Sequence, residues 1–388
     1  MSAGEVRAAV SGERLTAAYR LTGSEAQARE TALAIAVEQS VEFPRHLLPP
    51  GNIADDVVGR LEALERRAHG VWRATLSFAV ENTAFELTQL LNALYGNASL
   101  FRGVRLERFD LPPSLYARLP GPRFGPEGLR KRLRVGARPL VATALKPMGL
   151  DAEALAVRAG QLAASGIDLV KDDHGLTDQP YAPWRERVAR AAAAVAEASA
   201  RAGHTTLYLP NVTAPTDRLL ERAHAARALG AGGLLVSPGV AGFDAMRLLA
   251  ADGELDLPIL AHPSLLGSFV LAEDQGFSFE ALFGEVMRLS GADAVIFPSY
   301  GGRFPLTPST CRAIADALAA PLGPLRRALP VPAGGMTVER VAEMVSFYGA
   351  DVVLLIGGDL FADGPDPSAR ARRLVERVAA WAGEAAGA

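Results

Sequence analysis

One cysteine, Cys311, is all the thiol chemistry in 388 residues. A lone cysteine forms no internal disulfide, which fits an intracellular, cytoplasmic protein. There is no basic block: 40 Lys and Arg stand against 43 Asp and Glu, for a formal net charge of −3. That balance argues against a nucleic-acid partner. No apolar run reaches membrane-spanning length, and Met1 to Glu13 is mixed and charged, unlike a signal peptide. What remains is the composition of a globular protein, 49% apolar and 21% charged. The length suits a large α/β domain with a smaller companion.

The most informative stretch is Gly-Ile-Asp-Leu-Val-Lys-Asp-Asp-His-Gly, residues 166–175. An apolar strand runs out through Val170 and ends in Lys171, Asp172, Asp173 and His174. Such side chains cannot continue a buried strand, because an unpaired buried charge costs several kcal/mol. At the carboxyl end of a parallel strand they can face a shared mouth, where α/β enzymes keep their chemistry. Read alone, the stretch serves equally well as a solvated turn before a helix.

Upstream, residues 14–20 alternate like a strand. Residues 24–40 read as a helix capped by Ser24, with Ala28, Ala32, Ile35 and Ala36 on one face. A strand at 70–80, a helix at 86–94 and a strand at 104–109 complete a small α+β (ferredoxin-like) domain. A Pro/Gly-rich stretch, residues 111–128, follows. The boundary is placed near Gly121, giving domains 1–121 and 122–388.

From there apolar strands are predicted at 139–145, 167–171, 205–210, 232–237, 258–261, 294–298, 330–333 and 351–356. Helices between them are predicted at 151–164, 184–202, 216–229, 279–290, 308–318, 337–347 and 368–383. Eight regular units predict a (β/α)8 TIM barrel, with a doubly wound open sheet as the alternative. In a barrel the strand carboxyl ends carry function. They are Lys146, Lys171 to His174, Asn211, Ser237, His262, then Ser299 with Tyr300 and Arg303, and finally two glycine pairs. Gly334-Gly335 and Gly357-Gly358 leave backbone N–H groups bare after strands seven and eight, as a phosphate cradle requires.

These residues resemble the RuBisCO superfamily, specifically its non-carboxylating RuBisCO-like proteins. Ala-Leu-Lys146-Pro-Met-Gly-Leu is similar to the strand-one motif Ile-Lys-Pro-Lys-Leu-Gly-Leu, and Val-Lys171-Asp-Asp-His to the Lys-Asp-Asp-Glu motif. Gly-Asn97-Ala-Ser-Leu-Phe resembles the small-domain Gly-Asn-Val-Phe-Gly-Phe, and Val37-Glu38-Gln39-Ser40 its Glu-Ser-Ser. Ala333-Gly-Gly and Ile356-Gly-Gly resemble the two phosphate loops. The resemblance implies that Lys171 is carbamylated by carbon dioxide and binds Mg²⁺ through the carbamate, with Asp173 as a second ligand. It implies that Lys146 assists proton transfer at a substrate carbonyl, and that His262 belongs to the same catalytic set. Gly334, Gly335, Gly357 and Gly358 would hold the substrate phosphate, with Arg303 nearby. Glu38 and Asn97 would reach the site of a partner subunit, so a homodimer or higher even oligomer is expected.

The departures narrow the function. His174 stands where the family has its third metal-ligand Glu; it is either a ligand favouring Mn²⁺-like ions over Mg²⁺ or an uncoordinated acid/base group. Met148 replaces a lysine, Pro263 follows His262 where carboxylases carry an arginine, and Ile296 replaces a phosphate-site histidine. Arg303 occupies a lysine position and cannot donate a proton at neutral pH. These changes remove a second phosphate site and the carboxylation lysine, so no CO₂ fixation is expected. The resemblance implies a metal-dependent enzyme that enolises a phosphorylated ketose, first a 5-methylthioribulose 1-phosphate isomerase. The alternatives are a decarboxylase of a phosphorylated branched 3-oxo sugar acid and the diketo-methylthiopentyl-phosphate enolase of methionine salvage. Gly96-Asn97-Ala98-Ser99 lacks the lysine base of such enolases. The rival from another class is a silent sugar-phosphate-binding barrel.

Overall fold

The computed structural model of the chain describes residues 6–387, which fall into two compact units. One holds the chain up to Pro120 together with Leu265–Val286 and Gly323–Leu325; the other holds Gly121–Ser264, Met287–Leu322 and the chain from Arg326 onward.

The first unit contains β1 (Arg14–Thr22), α1 (Glu25–Glu38), β2 (Arg60–Ala68), β3 (Val71–Ala79), α2 (Leu87–Tyr95) and β4 (Val104–Asp110). Along β1, Leu15, Ala17, Tyr19 and Leu21 are buried, the alternation of a half-covered strand. Ser24 starts α1 with a capping box: its hydroxyl accepts from the Gln27 N–H, and the Gln27 side chain returns to the Ser24 N–H. The buried face is Ala28, Ala32, Ile35 and Ala36, as the spacing predicts. β1 runs antiparallel to β3 and to β4, with a bulge at Ala18/Tyr19. β2 is a strand that the sequence does not announce. It lies at the sheet edge, mostly exposed, and its Arg-Leu-Glu-Ala-Leu-Glu-Arg-Arg-Ala run carries the charges that blunt an edge. On the other edge Gly276–Phe277 pairs in parallel with β4. That stretch falls in the barrel half of the sequence division, yet its backbone groups find their partners in this sheet.

The second unit opens with α3 (Gly125–Leu133). Among the described residues it then contains eight parallel strands: β5 (Leu140–Leu145), β6 (Leu169–Asp172), β7 (Leu207–Leu209), β8 (Leu234–Val236), β9 (Ile259–Ala261), β10 (Ala294–Pro298), β11 (Leu329–Ala333) and β12 (Val353–Leu355). Helices α4 (Ala152–Ala164), α5 (Trp184–Ala202), α6 (Thr216–Ala228), α7 (Phe243–Ala251), α8 (Pro308–Ala319), α9 (Val341–Tyr348) and α10 (Ser368–Gly387) follow in turn. The order is that of a (β/α)8 barrel. The ladders run β11-β10-β9-β8 and β12-β5-β6-β7. At one seam Asn211 bridges to Leu235. At the other, β11 lies beside β12. The helix expected at 279–290 is instead a π-type run, Glu280–Val286, followed by the short Met287–Leu289. No helix among the described residues is long and apolar enough to cross a membrane.

One buried cluster fills the barrel: Leu140, Ala142, Leu169, Leu207, Leu209, Leu235, Leu260, Ala294, Ile296, Leu329, Val331, Ala333, Val353 and Leu355. Burying each leucine is worth roughly 2 kcal/mol. The cluster also fixes which face of every strand looks inward, because side chains alternate with period two.

Candidate active site

Counting on by twos from the inward residues gives the site. Leu140, Ala142 and then Ala144 lead to Lys146, and Leu169 leads to Lys171 and Asp173. Leu260 leads to His262, and Leu355 to Gly357. Barrel parity therefore delivers two lysines, an aspartate, a histidine and a glycine to the carboxyl-terminal mouth.

There they converge on Asp173. Its Oδ2 pairs with Lys146 Nζ, and its Oδ1 lies 2.9 Å from His174 Nδ1 and accepts the Gly175 N–H at 3.2 Å. Burial opposes this charge, but His174, Lys146 and the Gly175 amide outweigh it and hold the carboxyl well below its ordinary range. Lys171 is buried beside this pair, its ammonium donating to the Asp172 carbonyl at 3.0 Å. Burial pushes its pKa down to about 8, with Asp173 opposing the shift and Lys146 adding to it.

His174 is half-exposed and stacks on His262, ring centroids 4.2 Å apart and planes 10° from parallel. His262 Nδ1 accepts the Ser264 N–H at 3.2 Å and lies 2.8 Å from the Ser264 hydroxyl. An accepting Nδ1 puts the proton of the neutral ring on Nε2. Burial first, then the charges of Lys171 and His174, push His262 down to about 2, so the ring is neutral at physiological pH.

Asp172 points the other way. Its Oδ2 is 3.1 Å from Arg187 of α5 and accepts the Asn211 N–H at 3.0 Å; its Oδ1 accepts the Tyr208 hydroxyl at 2.7 Å. Both partners of the ion pair are fully buried. The Asn211 side chain, 2.9 Å from the His174 carbonyl and 3.0 Å from that of Leu176, ties down the loop after β6. It is a positioning group, not a lining one.

Gly334 and Gly335 have φ of +84° and +117°. A Cβ on Gly335 would stand 2.9 Å from the Gly302 Cα, and the Arg303 N–H donates to the Gly334 carbonyl at 2.9 Å. Backbone thus meets backbone between the loops after β10 and β11, and only glycine allows it. The Arg303 side chain is exposed, its guanidinium over Phe304. Gly357 lies against the stem of Lys146, and Gly358 begins a 3₁₀ turn with open space above it. Ser299 is buried against Tyr348, and the Tyr300 ring lies under Arg340.

Glu38 and Asn97 meet inside the first unit, Asn97 Nδ2 donating to Glu38 Oε1 at 2.8 Å. Gln39 anchors both segments by bonding the Asn92 and Ala93 carbonyls and the Ala98 N–H. Sequence reasoning missed Ser264, Arg158 and the Asp172–Arg187–Tyr208 network. Arg158 of α4 donates to the Lys146 carbonyl and covers the Phe361 ring. Strand parity could have separated Asp172 from Asp173; nothing local marks Arg158 or Arg187.

Among the described residues no three His, Cys, Asp or Glu side chains converge as a cation site. The unmodified chain offers one hard oxygen donor at the mouth, Asp173; a carbamate on Lys171 would supply another, and that donor set then suits a hard divalent cation.

The closed barrel thus carries a lysine–aspartate–histidine mouth at its strand carboxyl ends, with glycine loops after strands seven and eight, where barrel enzymes keep their chemistry. The chain belongs to the RuBisCO large-chain family: residues 126–385 match the ribulose bisphosphate carboxylase large chain, catalytic domain. Ribulose bisphosphate carboxylase-like protein 1 of Rhodopseudomonas palustris is 41% identical, over 95% of this chain and 98% of its own length. The 5-methylthioribulose-1-phosphate isomerase of Rhodospirillum rubrum is 39% identical, over 97% of each chain. The crystal structure of the Rubisco-like protein from Rhodopseudomonas palustris superposes with a TM-score of 0.84 at 38% identity, covering 94% of this chain and 97% of that one.

Proposed function

We propose that this chain enolises a phosphorylated ketose and acts as a 5-methylthioribulose 1-phosphate isomerase, without fixing carbon dioxide. The observation that carries the reading is the shared carboxylate of Asp173, joined to Lys146 on one side and His174 on the other. It puts the Lys146 side chain, held by a buried anion, beside the stacked pair of His174 and the neutral His262. Full-length similarity to the Rhodospirillum rubrum isomerase supports the choice of substrate.

The division of labour follows from these contacts. Lys146 moves the proton at the carbon beside the substrate carbonyl. His262, neutral and protonated on Nε2, donates to the oxygen on which charge develops. The amides of Gly334, Gly335, Gly357 and Gly358 hold the phosphate, with Arg303 above them. Lys171, Asp173 and His174 would hold a divalent cation, Mg²⁺ or an Mn²⁺-like ion, with Lys171 as its carbamate. Carbamate formation needs the neutral amine, and a pKa of about 8 leaves roughly a tenth of Lys171 neutral at pH 7. When bound, the cation polarises the carbonyl and lowers the pKa of the adjacent C–H. Glu38 and Asn97 would complete the site of a second copy, which makes the working unit a homodimer or an even multiple of it.

The test is incubation with 5-methylthioribulose 1-phosphate in D₂O, with bicarbonate and Mg²⁺ or Mn²⁺. Deuterium entering the substrate carbon skeleton with formation of an isomer is expected. Binding without exchange would favour the silent-barrel alternative. Turnover of the diketo phosphate alone would favour the enolase.

A further inference from the structure

The segments that follow the two glycine pairs of the proposed cradle share one arginine, through Glu339 and Asp359. Arg370 of α10 has only 9% of its side chain exposed. Its Nη2 lies 2.7 Å from Asp359 Oδ2 and 3.0 Å from Glu339 Oε1, and its Nη1 is 3.4 Å from Asp363. Asp359 directly follows Gly358, and its Oδ2 also accepts the Val338 N–H at 2.9 Å, three residues past Gly335. One carboxylate therefore ties the loop after β11 to the loop after β12. Arg377, two helical turns beyond Arg370, reinforces the joint by donating to the Val338 carbonyl at 3.2 Å.

The joint carries an electrostatic problem. A phosphate on the Gly358 amide would have a carboxylate as its chain neighbour, and like charges in a partly desolvated site repel. Arg370, 2.7 Å from Asp359 Oδ2, offsets that charge. Its Nη2 serves Asp359 and Glu339 together, while Nη1 reaches Asp363, so the two prongs of the guanidinium hold three carboxylates.

We propose that Arg370 is a positioning residue of the phosphate cradle, fixing the spacing of the two glycine loops through Asp359 and neutralising the carboxylate that adjoins them. This rests on the phosphate reading of the glycine pairs given above. It assigns a role in binding to a residue that lies outside the mouth and touches no substrate.

The test is titration of inorganic phosphate into the intact protein and its variants by calorimetry, at low and high salt, with melting temperatures measured alongside. Arg370→Gln is expected to weaken phosphate binding about tenfold at low salt, with the loss shrinking as salt screens the uncompensated Asp359 charge. With the phosphorylated substrate, KM should rise more than kcat falls. Adding Asp359→Asn to Arg370→Gln should restore most of the phosphate affinity, because the asparagine oxygen still accepts from Val338 while the charge is gone. The melting temperature should not recover with it. Asp359→Asn alone, which keeps Arg370 on Glu339, should bind phosphate at least as tightly as the parent. Parent-like affinity in Arg370→Gln, or a double variant as weak as the single one, would overturn the proposal while leaving the cradle intact. A parent protein that does not bind phosphate at all would overturn the cradle reading itself.

Discussion

Asp172 and Asp173 are adjacent in the chain and face opposite sides of one strand end. On the wall side, Asp172 is enclosed by Arg187, Tyr208 and the Asn211 amide, with every oxygen satisfied. On the mouth side, Asp173 shares its oxygens between Lys146 and a half-exposed His174, beside a lysine whose charge is disfavoured by burial. The wall is arranged for stability. The mouth holds groups in states that folding alone would not choose, as functional sites do. The pleat separates the two regions: one residue of register exchanges them.

The largest effect should come from Lys171→Met. Turnover is expected to fall by about 10²–10⁴-fold, the range for loss of a positioned acid–base or ligand group. The same change should stabilise the fold at neutral pH. The folded-state pKa of Lys171 lies near 8, below its unfolded value of 10.5, so its favourable contribution exists only above the unfolded value and is lost as pH falls through about 8. Removing it should therefore recover on the order of 3 kcal/mol at pH 7. Urea unfolding of both proteins at pH 7 and pH 10 checks this. A less stable variant at pH 7 would show that Lys171 belongs energetically to the wall.

Asp172→Ala tests the wall itself. It strands the Arg187 guanidinium without its carboxylate, and the Tyr208 hydroxyl and Asn211 amide lose their acceptor. A loss of roughly 3–5 kcal/mol is expected in urea denaturation. A loss below about 1 kcal/mol would mean that water replaces the network.

Asp293 offers a second buried carboxylate for comparison, held by three amide donors with the Arg123 charge as a lesser influence. It accepts the N–H groups of Phe124, Gly125 and Ile259 at 2.6–2.9 Å. Burial outweighs these donors and pushes it up to about 6. Its folded pKa exceeds the unfolded value, so its favourable contribution is present below about pH 4 and lost as pH rises through 6. Asp293→Asn should flatten stability between pH 4 and 6. It should also cost about 1–3 kcal/mol, because an amide NH₂ must face a backbone N–H. An unchanged slope across that window would sink the assignment.

The smallest effect is the most specific. His174→Glu should shift metal preference from Mn²⁺-like ions towards Mg²⁺ and strengthen Mg²⁺ binding, by adding a hard oxygen donor. Calorimetry with each metal reads it. Unchanged preference and affinity would remove His174 from the ligand set and leave it as the stacking partner of His262.

The barrel was legible because buried parallel strands are short apolar runs and their polar ends stand out: Lys146, Lys171, His262 and the two glycine pairs all follow such runs. β2 was not legible, since an exposed edge strand needs charge rather than apolar alternation. The excursion of Gly276–Phe277 into the first unit's sheet was hidden for a related reason. A two-residue strand has no period to read, and its place depends on a free edge at β4. Arg158, Arg187 and Arg370 look like any helical arginine in the sequence, because Lys146, Asp172 and Glu339 lie 12, 15 and 31 residues away from them.

The sequence by itself determined the alternation of elements, the identity of the groups at each strand end and the family to which the chain belongs. Those are local properties, written in hydrophobic period and motif spacing. Only the tertiary structure decided that Asp172 joins Arg187 and Tyr208 in the wall and that Ser264 sets the His262 tautomer. It alone made Asp173 the carboxylate shared by Lys146 and His174. Each of these depends on closing the sheet, since closure around the leucine-rich interior fixes which face of every strand points inward and thereby which side chains can meet.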